Sequence, residues 1–264
     1  METTQLYRSE LNNLHIFREA IILLCKSVDE AVISCEEHDI IIKGMDASRI
    51  IMFRLKLMGI LSSSFNANFF LNIDDLTKIL NRIQGDSLVI KKTIKTTFVR
   101  EKEVLKESLS MEAINGIFTL YLLEVYSLKE ELIFTNIEKI DYAAKHEFTQ
   151  EILSEIIKSA RVYSDIVLMR YDKEGMEFYA DGQQGTYTLN KGMIKKQGEA
   201  MYSLTFLNSL FVGSEGFFHD HPVVLHIKMD NPLHIEYKDS IVEYDEWIAP
   251  RVEEADDDWE DDEF

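Results

Sequence analysis

His219, Asp220 and His221 carry the clearest side-chain types and spacing for chemistry. Two imidazoles flanking a carboxylate could hold a divalent transition metal. They also stand directly ahead of an apolar run, Val223 to Lys228, where a polar turn before a strand accounts for them without a ligand. That second reading is preferred. Asp172 and Asp181 lie at acidic strand ends but lack the spacing of a calcium loop. The chain has no glycine-rich phosphate loop, no zinc-ligand cysteine array and no Gly-x-Ser-x-Gly elbow. An enzyme is therefore the alternative class only: no catalytic residue is assigned, and neither a metal nor another cofactor is expected. What remains is electrostatic. Arg18 and Lys26 share the polar face of one helical pattern, Lys78 and Arg82 that of a second, and Lys158 and Arg161 lie on or near that of a third. Each can meet a phosphate or simply be solvated.

The elements that position these cations come in a repeat. Ile16 to Ser34 reads as an amphipathic helix followed by a strand, and Glu151 to Met169 repeats that order about 135 residues later. A short polar turn and another strand follow in each case, Ile40 to Asp46 and Met176 to Asp181, with Asp46 and Asp181 at equivalent places. Second helices follow at Ile73 to Ile83 and Ser203 to Phe211, then strands at Ser87 to Lys91 and Val223 to Lys228. A period this long marks a duplicated domain and not a solenoid.

Cap chemistry supports the helices. Asn72 stands at an N-cap with Asp75 three residues on, and Gly85 lies just past the end. Leu76, Ile79, Leu80 and Ile83 would face the core. Thr149 would cap the third helix, with Ile152, Ile156 and Ala160 as its buried stripe. Ile50 to Leu57, Ile117 to Leu123, Ile140 to Lys145 and Thr186 to Leu189 alternate as half-buried strands. The expected fold class is α+β, two duplicated domains, each with two helices packed on antiparallel sheets. The expected boundaries are 1–123, a connector at 124–138, 139–254, and an acidic tail at 255–264. The connector holds Val125, Leu128, Leu132, Ile133 and Phe134, more apolar side chains than an idle linker needs.

Composition narrows the class. The net charge is −19, and residues 253–264 hold nine acidic and no basic residues, which leaves −10 on the remainder. Taken bluntly, this opposes tight nucleic-acid binding. No run approaches the roughly 18 apolar residues of a membrane span, and no signal peptide opens the chain, so an intracellular protein is expected. Cys25 and Cys35 suit reduced thiols.

Three motifs then identify a family. Met45-Asp46-Ala47-Ser48-Arg49-Ile50 resembles the Met-Asp-x-Ser-basic-aliphatic strand start of proliferating cell nuclear antigen, the DNA sliding clamp of archaea and eukaryotes. Pro232-Leu233-His234-Ile235-Glu236-Tyr237 and Ile248-Ala249-Pro250-Arg251-Val252-Glu253-Glu254 resemble that family's C-terminal signature, closer to archaeal members. The match covers residues 1–254 in the family's order. The resemblance implies a closed ring of three two-domain subunits, homotrimeric or heterotrimeric, with helices lining the hole and sheets outside. By the same resemblance it would be a processivity factor that needs no catalysis, with a checkpoint clamp subunit as the alternative within the fold. Arg18, Lys26, Lys78, Arg82, Lys158 and Arg161 would then face double-stranded DNA, held topologically. Gly116 to Leu122 of one subunit would pair with Gly185 to Lys191 of the next, through Phe118, Leu120, Thr186, Tyr187 and Thr188.

Partners implied by the resemblance are a clamp loader, DNA polymerase, flap endonuclease and ligase. They would dock Gln-x-x-aliphatic-x-x-aromatic-aromatic peptides on Met45, Val125, Leu128, Pro232, Trp247, Ile248 and Ala249. Trp247 stands where the family commonly has tyrosine. The fourth helix departs from the family, since Ser203 to Phe211 has no Lys or Arg. The location would be cytoplasm or nucleoid in an archaeon and nucleus in a eukaryote, with no membrane partner.

Overall fold

The computed structural model describes residues 2–64, 66–99, 102–123, 136–192, 198–212, 217–218 and 221–251. The first half runs β1 (Glu2–Leu11), α1 (Leu14–Leu24), β2 (Glu30–Glu36), β3 (Asp39–Met45), β4 (Ile51–Leu57), β5 (Ala67–Asn72), α2 (Ile73–Leu80), β6 (Leu88–Val99), β7 (Lys102–Ala113) and β8 (Gly116–Tyr121). The second runs β9 (Ala144–Phe148), α3 (Gln150–Ala160), β10 (Ile166–Tyr171), β11 (Met176–Gly182), β12 (Gly185–Lys191), β13 (Gly198–Ser203), α4 (Leu204–Phe211), β14 (Val223–Ile227), β15 (Leu233–Lys238) and β16 (Val242–Ile248). The order of helices and strands is the same in both, as the repeat in the sequence requires. No described helix is long and apolar enough to cross a membrane.

The strands form three antiparallel sheets: β1-β6-β7-β8, β12-β11-β10-β13, and an eight-stranded sheet β5-β2-β3-β4-β16-β15-β14-β9. The large sheet is fused from both halves by one seam, β4 on β16, whose register runs from Ile51 opposite Ile248 to Leu57 opposite Val242. Along these strands alternate residues point into the core, Ile51, Phe53, Leu55 and Leu57 on β4 and Val242, Tyr244, Glu246 and Ile248 on β16. The helices pack in pairs, α1 with α2 and α3 with α4. Leu153, Ile156 and Ile157 of α3 and Leu204, Leu207 and Phe211 of α4 meet Val167, Met169 and Phe178 from one sheet and Leu225 from another.

Local chemistry sets the helix ends. Asn72 Oδ1 accepts from Asp75 N at 2.9 Å and Thr149 Oγ1 from Ile152 N at 3.4 Å, both N-caps. Gly85 takes φ +97 just beyond α2, where a side chain would be strained. Both cysteines are free.

Three expectations need correction. Ile152 is 44% exposed, because the buried stripe of α3 runs through Leu153, Ile156, Ile157 and Ala160, one position round the helix. The alternation from Ile140 does not begin a strand until Ala144; Ile140 and Tyr142 instead cover the outer face of the large sheet. β6 runs well beyond Lys91, to Val99, because β1 and β7 pair with it on both sides and satisfy its backbone where its apolar alternation ends.

One buried group opposes the rest of the core. Glu246 is fully buried; the Tyr244 hydroxyl donates to one of its carboxyl oxygens and the other has no partner among the described residues. Burial pushes its carboxyl up to about 7, against the opposing hydrogen bond from Tyr244. A carboxyl raised in the fold keeps its proton while the unfolded chain loses it. Stability therefore falls as pH rises from about 4.5 to about 7 and levels above that. Glu246→Gln mimics the neutral form. It should exceed the parent by about 3 kcal/mol at pH 8 and match it near pH 4.5 in urea titrations; an equal offset at both values would contradict this assignment.

Candidate nucleic-acid and partner interfaces

The six cations expected on helices lie on or just beyond three of them, in different electrostatic settings. Lys78, on α2, is held by Asp74 and Asp75, which raise its ammonium above the ordinary value. Lys158, in the last turn of α3, lies 4.0 Å from Glu155. Arg82 follows α2 and Arg161 is the C-cap residue of α3, both exposed. Lys26 follows α1; burial lowers its ammonium and Glu19 opposes that. Arg18 is half-buried, and its Nη2 donates to the carbonyl of Ile83 at 3.0 Å. It ties α1 to the end of α2 where carbonyls lack helical partners. The same helices present Glu19, Asp74, Asp75, Glu151 and Glu155, so the combined surface is close to neutral. α4 adds Thr205 and no cation.

The second region lies on the outward face of the large sheet, across its seam. Outward residues here alternate with the core set: Met45 stands opposite Met52, Met52 opposite Trp247, Trp247 opposite His234, and His234 opposite His226. This makes one row across five strands. Met45, Met52, Trp247 and Ile137 form an apolar cluster separate from the main core. Trp247 is 3% exposed and stacks on His234, with centroids 4.8 Å apart and planes 8° apart; His234 stacks on His226 at 4.7 Å. Tyr142 lies across both imidazoles at 5.7 Å. A carboxylate holds each ring: His226 Nε2 is 2.8 Å from Glu236 and His234 Nε2 2.8 Å from Asp245. The groove, about 390 Å³, is walled by Ile137, Ile140, Tyr142, Trp247 and the two histidines, with Arg54 bound to Glu138 at its rim.

Of the residues expected in a peptide pocket, Met45 and Trp247 are brought together here. Pro232 is half-buried before β15, and Ala249 donates its N–H to Ile50 O at 2.8 Å. Ile248 is fully buried in the main core and faces away from the groove, because it follows Trp247 by one residue on a strand. Val125 and Leu128 lie outside the described residues, as do His219 and Asp220. Among the described residues no group of three or more metal-ligating side chains gathers. Met52, His226, His234 and Tyr142 escaped the sequence reading. Alternation along Ile51–Leu57, Val223–Ile227 and Leu233–Lys238 holds the signal for three of them, but which outward residues become neighbours depends on strand register.

The third region is a pair of sheet edges. β8 and β12 each end a sheet. Phe118 and Leu120 turn inward and pack on the core, whereas Ile117 (69% exposed) and Tyr121 turn outward, with Ile114 exposed in the preceding turn. On β12, Thr186 and Thr188 are exposed and Tyr187 packs on the core. The helix α3 contacts β12, and Ile152 on it and Val162 just beyond it are exposed.

Comparison with known proteins agrees with the arrangement. No protein-family model matches the chain. The "DNA polymerase sliding clamp" of Pyrococcus horikoshii is 25% identical over 255 residues, 90% of this chain and 95% of that protein. That of Cenarchaeum symbiosum is 25% identical over 85% and 90%, and "DNA polymerase sliding clamp 1" of Thermococcus kodakarensis 24% over 90% and 95%. Over most of its length the chain is similar to archaeal proteins named DNA polymerase sliding clamp.

The aromatic row is tuned by burial. Desolvation lowers the imidazolium of His226, outweighing the opposing hydrogen bond from Glu236, and raises the Tyr142 hydroxyl to about 12. A histidine depressed in the fold contributes stability that is present above the ordinary value near 6.5 and is lost as pH falls. His226 should titrate below that value by NMR, and Glu236→Gln should lower it further. A rise in Glu236→Gln would mean that the carboxylate does not support the charged ring.

Proposed function

We propose that the chain is a subunit of a ring that encircles duplex DNA, tethers DNA polymerase to it and recruits further enzymes through the groove over the β4–β16 seam. Residues 1–123 and 139–254 would be its two clamp domains, joined by 124–138, with the tail at 255–264. The observation that carries this reading is the near full-length likeness to archaeal DNA polymerase sliding clamps. Two of the sheet edges would supply the means of closure: β8, with Ile117 and Tyr121 exposed on it and Ile114 in the turn before it, and β12, beside α3, whose region exposes Ile152 and Val162. Apolar patches of this kind on both ends of one chain suit head-to-tail joining of like copies, three to a ring.

A nearly neutral lining fits such a ring. Strong phosphate contacts would anchor it, whereas six cations offset by five nearby carboxylates leave DNA free to slide. The ring, loaded on nicked circular duplex, should survive salt that abolishes binding to linear duplex, and it should leave when the circle is cut. Tight, end-independent binding to linear DNA would overturn the reading.

Ile117 is exposed, so Ile117→Asp should leave the subunit folded yet reduce the particle to monomers by light scattering. A persistent trimer would mean that β8 is not the joining edge. For partner docking, Trp247 in the groove and the Met45 and Met52 cluster that packs with it would supply the apolar contact. Met52→Ala should weaken a Gln-x-x-Leu-x-x-Phe-Phe peptide by at least about 1 kcal/mol in calorimetry, with the ring intact. Unchanged affinity would move the partner site elsewhere.

A further inference from the structure

The first sheet carries an extension that its counterpart in the second half lacks. By position in the repeat, β6 and β7 correspond to β14 and β15, yet each has 12 residues against five and six, and β1 has 10 against five in β9. Only Ser108–Ala113 of β7 pairs with β8, so the β6–β7 ladder continues past the end of β8 with β1 beside it. Leu122 donates its N–H to Glu107 O where the chain leaves β8, so the arm emerges beside the start of the connector.

The outward face of this sheet, from the part that β8 covers to the start of the arm, is rich in cations in a chain of charge −19. Leu88 and Ile90 turn to the core, so Lys91 and Lys95 turn outward. Arg8 stands directly opposite Lys91 level with β8, with Glu10 two residues on along the same face, and Lys95 stands directly opposite Lys106 where the arm begins. Like charges directly opposite one another across an antiparallel ladder are destabilising. Two such rungs lie four residues apart on one strand face. Glu112 pairs with Lys91, but among the described residues Arg8, Lys95 and Lys106 form no ion pair; Lys106 lies over the Tyr121 ring at 5.3 Å. A face of this kind calls for an anion between its rungs.

The chain carries a matching one. Residues 252–264 hold nine carboxylates and no cation, with Trp259 and Phe264 among them. They start beyond Arg251, whose N–H is bound to Met201 O. Thirteen residues span up to about 45 Å, more than twice the radius of gyration of about 18 Å for a compact chain of this length. Tethering also gives this segment a high local concentration that no free anion has. Threaded duplex would meet helices and not an outward sheet face, so DNA fits this place less well. We infer that the Arg8, Lys91, Lys95 and Lys106 face is a docking site for the chain's own acidic C-terminal segment, which caps the arm beside the connector.

The test needs a change that frees the segment without harming the fold. In full-length Arg8→Glu/Lys106→Glu each like-charge rung becomes an opposite-charge pair, so a purely structural role predicts an equal or more stable protein and nothing else. An endoprotease specific for acidic residues reports on residues 253–263. At low salt the parent tail should be cut about threefold or more slowly than the variant tail, and high salt should erase the difference. Equal rates at low salt would overturn the inference. So would protection lost in Arg82→Glu/Arg161→Glu but kept in the arm variant, which would put the segment on the helices. A fall in affinity for linear duplex in the arm variant, with tail cleavage unchanged, would assign the face to DNA and refute the inference. None of these readouts requires ring closure, so the docking site can fail while the clamp reading stands.

Discussion

The ladder between β4 and β16 is the constraint on which the rest of the molecule depends. Seven residue pairs, Ile51–Ile248 to Leu57–Val242, join two copies of one supersecondary unit into a single eight-stranded sheet. A strand alternates its side chains between faces, so the same seam serves both of them. Its inward set, with Phe53, Leu55, Tyr244 and Ile248, closes the core under the helices. Its outward set, Met52 and Trp247, forms an apolar cluster with Met45 and Ile137, and Trp247 also lines the outer groove. A one-residue slip would exchange the two sets, putting Trp247 into the core and Glu246 into solvent. The fold and the outer aromatic groove are thus two consequences of one register.

Glu246 is the cost within that arrangement. It sits in the inward set between apolar neighbours, and only the Tyr244 hydroxyl supports it. Apart from Glu246, β16 puts its acids where they have polar company: Asp245 holds His234 and Glu243 holds Lys238 on the outward face. The histidine row depends on two outward carboxylates, Asp245 of β16 and Glu236 of β15. Trp247, His234 and His226 stack because three consecutive rungs place planar rings at ladder spacing, and each imidazole is oriented by an acid on its flank.

Charge is distributed with the same economy. The chain is strongly acidic, yet cations recur where the fold exposes helix faces and along one face of the β1-β6-β7 arm. On the helices, neighbouring carboxylates temper them, which fits the proposed DNA-facing lining. On the arm they face each other in like pairs, which suits a surface meant to be covered.

Much of this was legible in the sequence. Helical spacing, the Asn72 and Thr149 caps and the duplicated order of elements are local, or repeat a local pattern, and they determined the α+β class and the positions of the helices. The family motifs pointed to Met45 and Trp247, which the groove brings together. Other features were settled only by tertiary pairing. Ile152 and Ile248 are both apolar, but the rotation of α3 exposes one while the pleat of β16 buries the other. The Ile140–Tyr142 alternation looked like a strand and became a cover over two histidines, because no neighbouring strand was there to pair with it. The long β6–β7 arm and the partnership of Met52 with Trp247 leave no trace in composition or periodicity. Periodicity says which way a side chain points, but only the register between strands distant in sequence says what it meets.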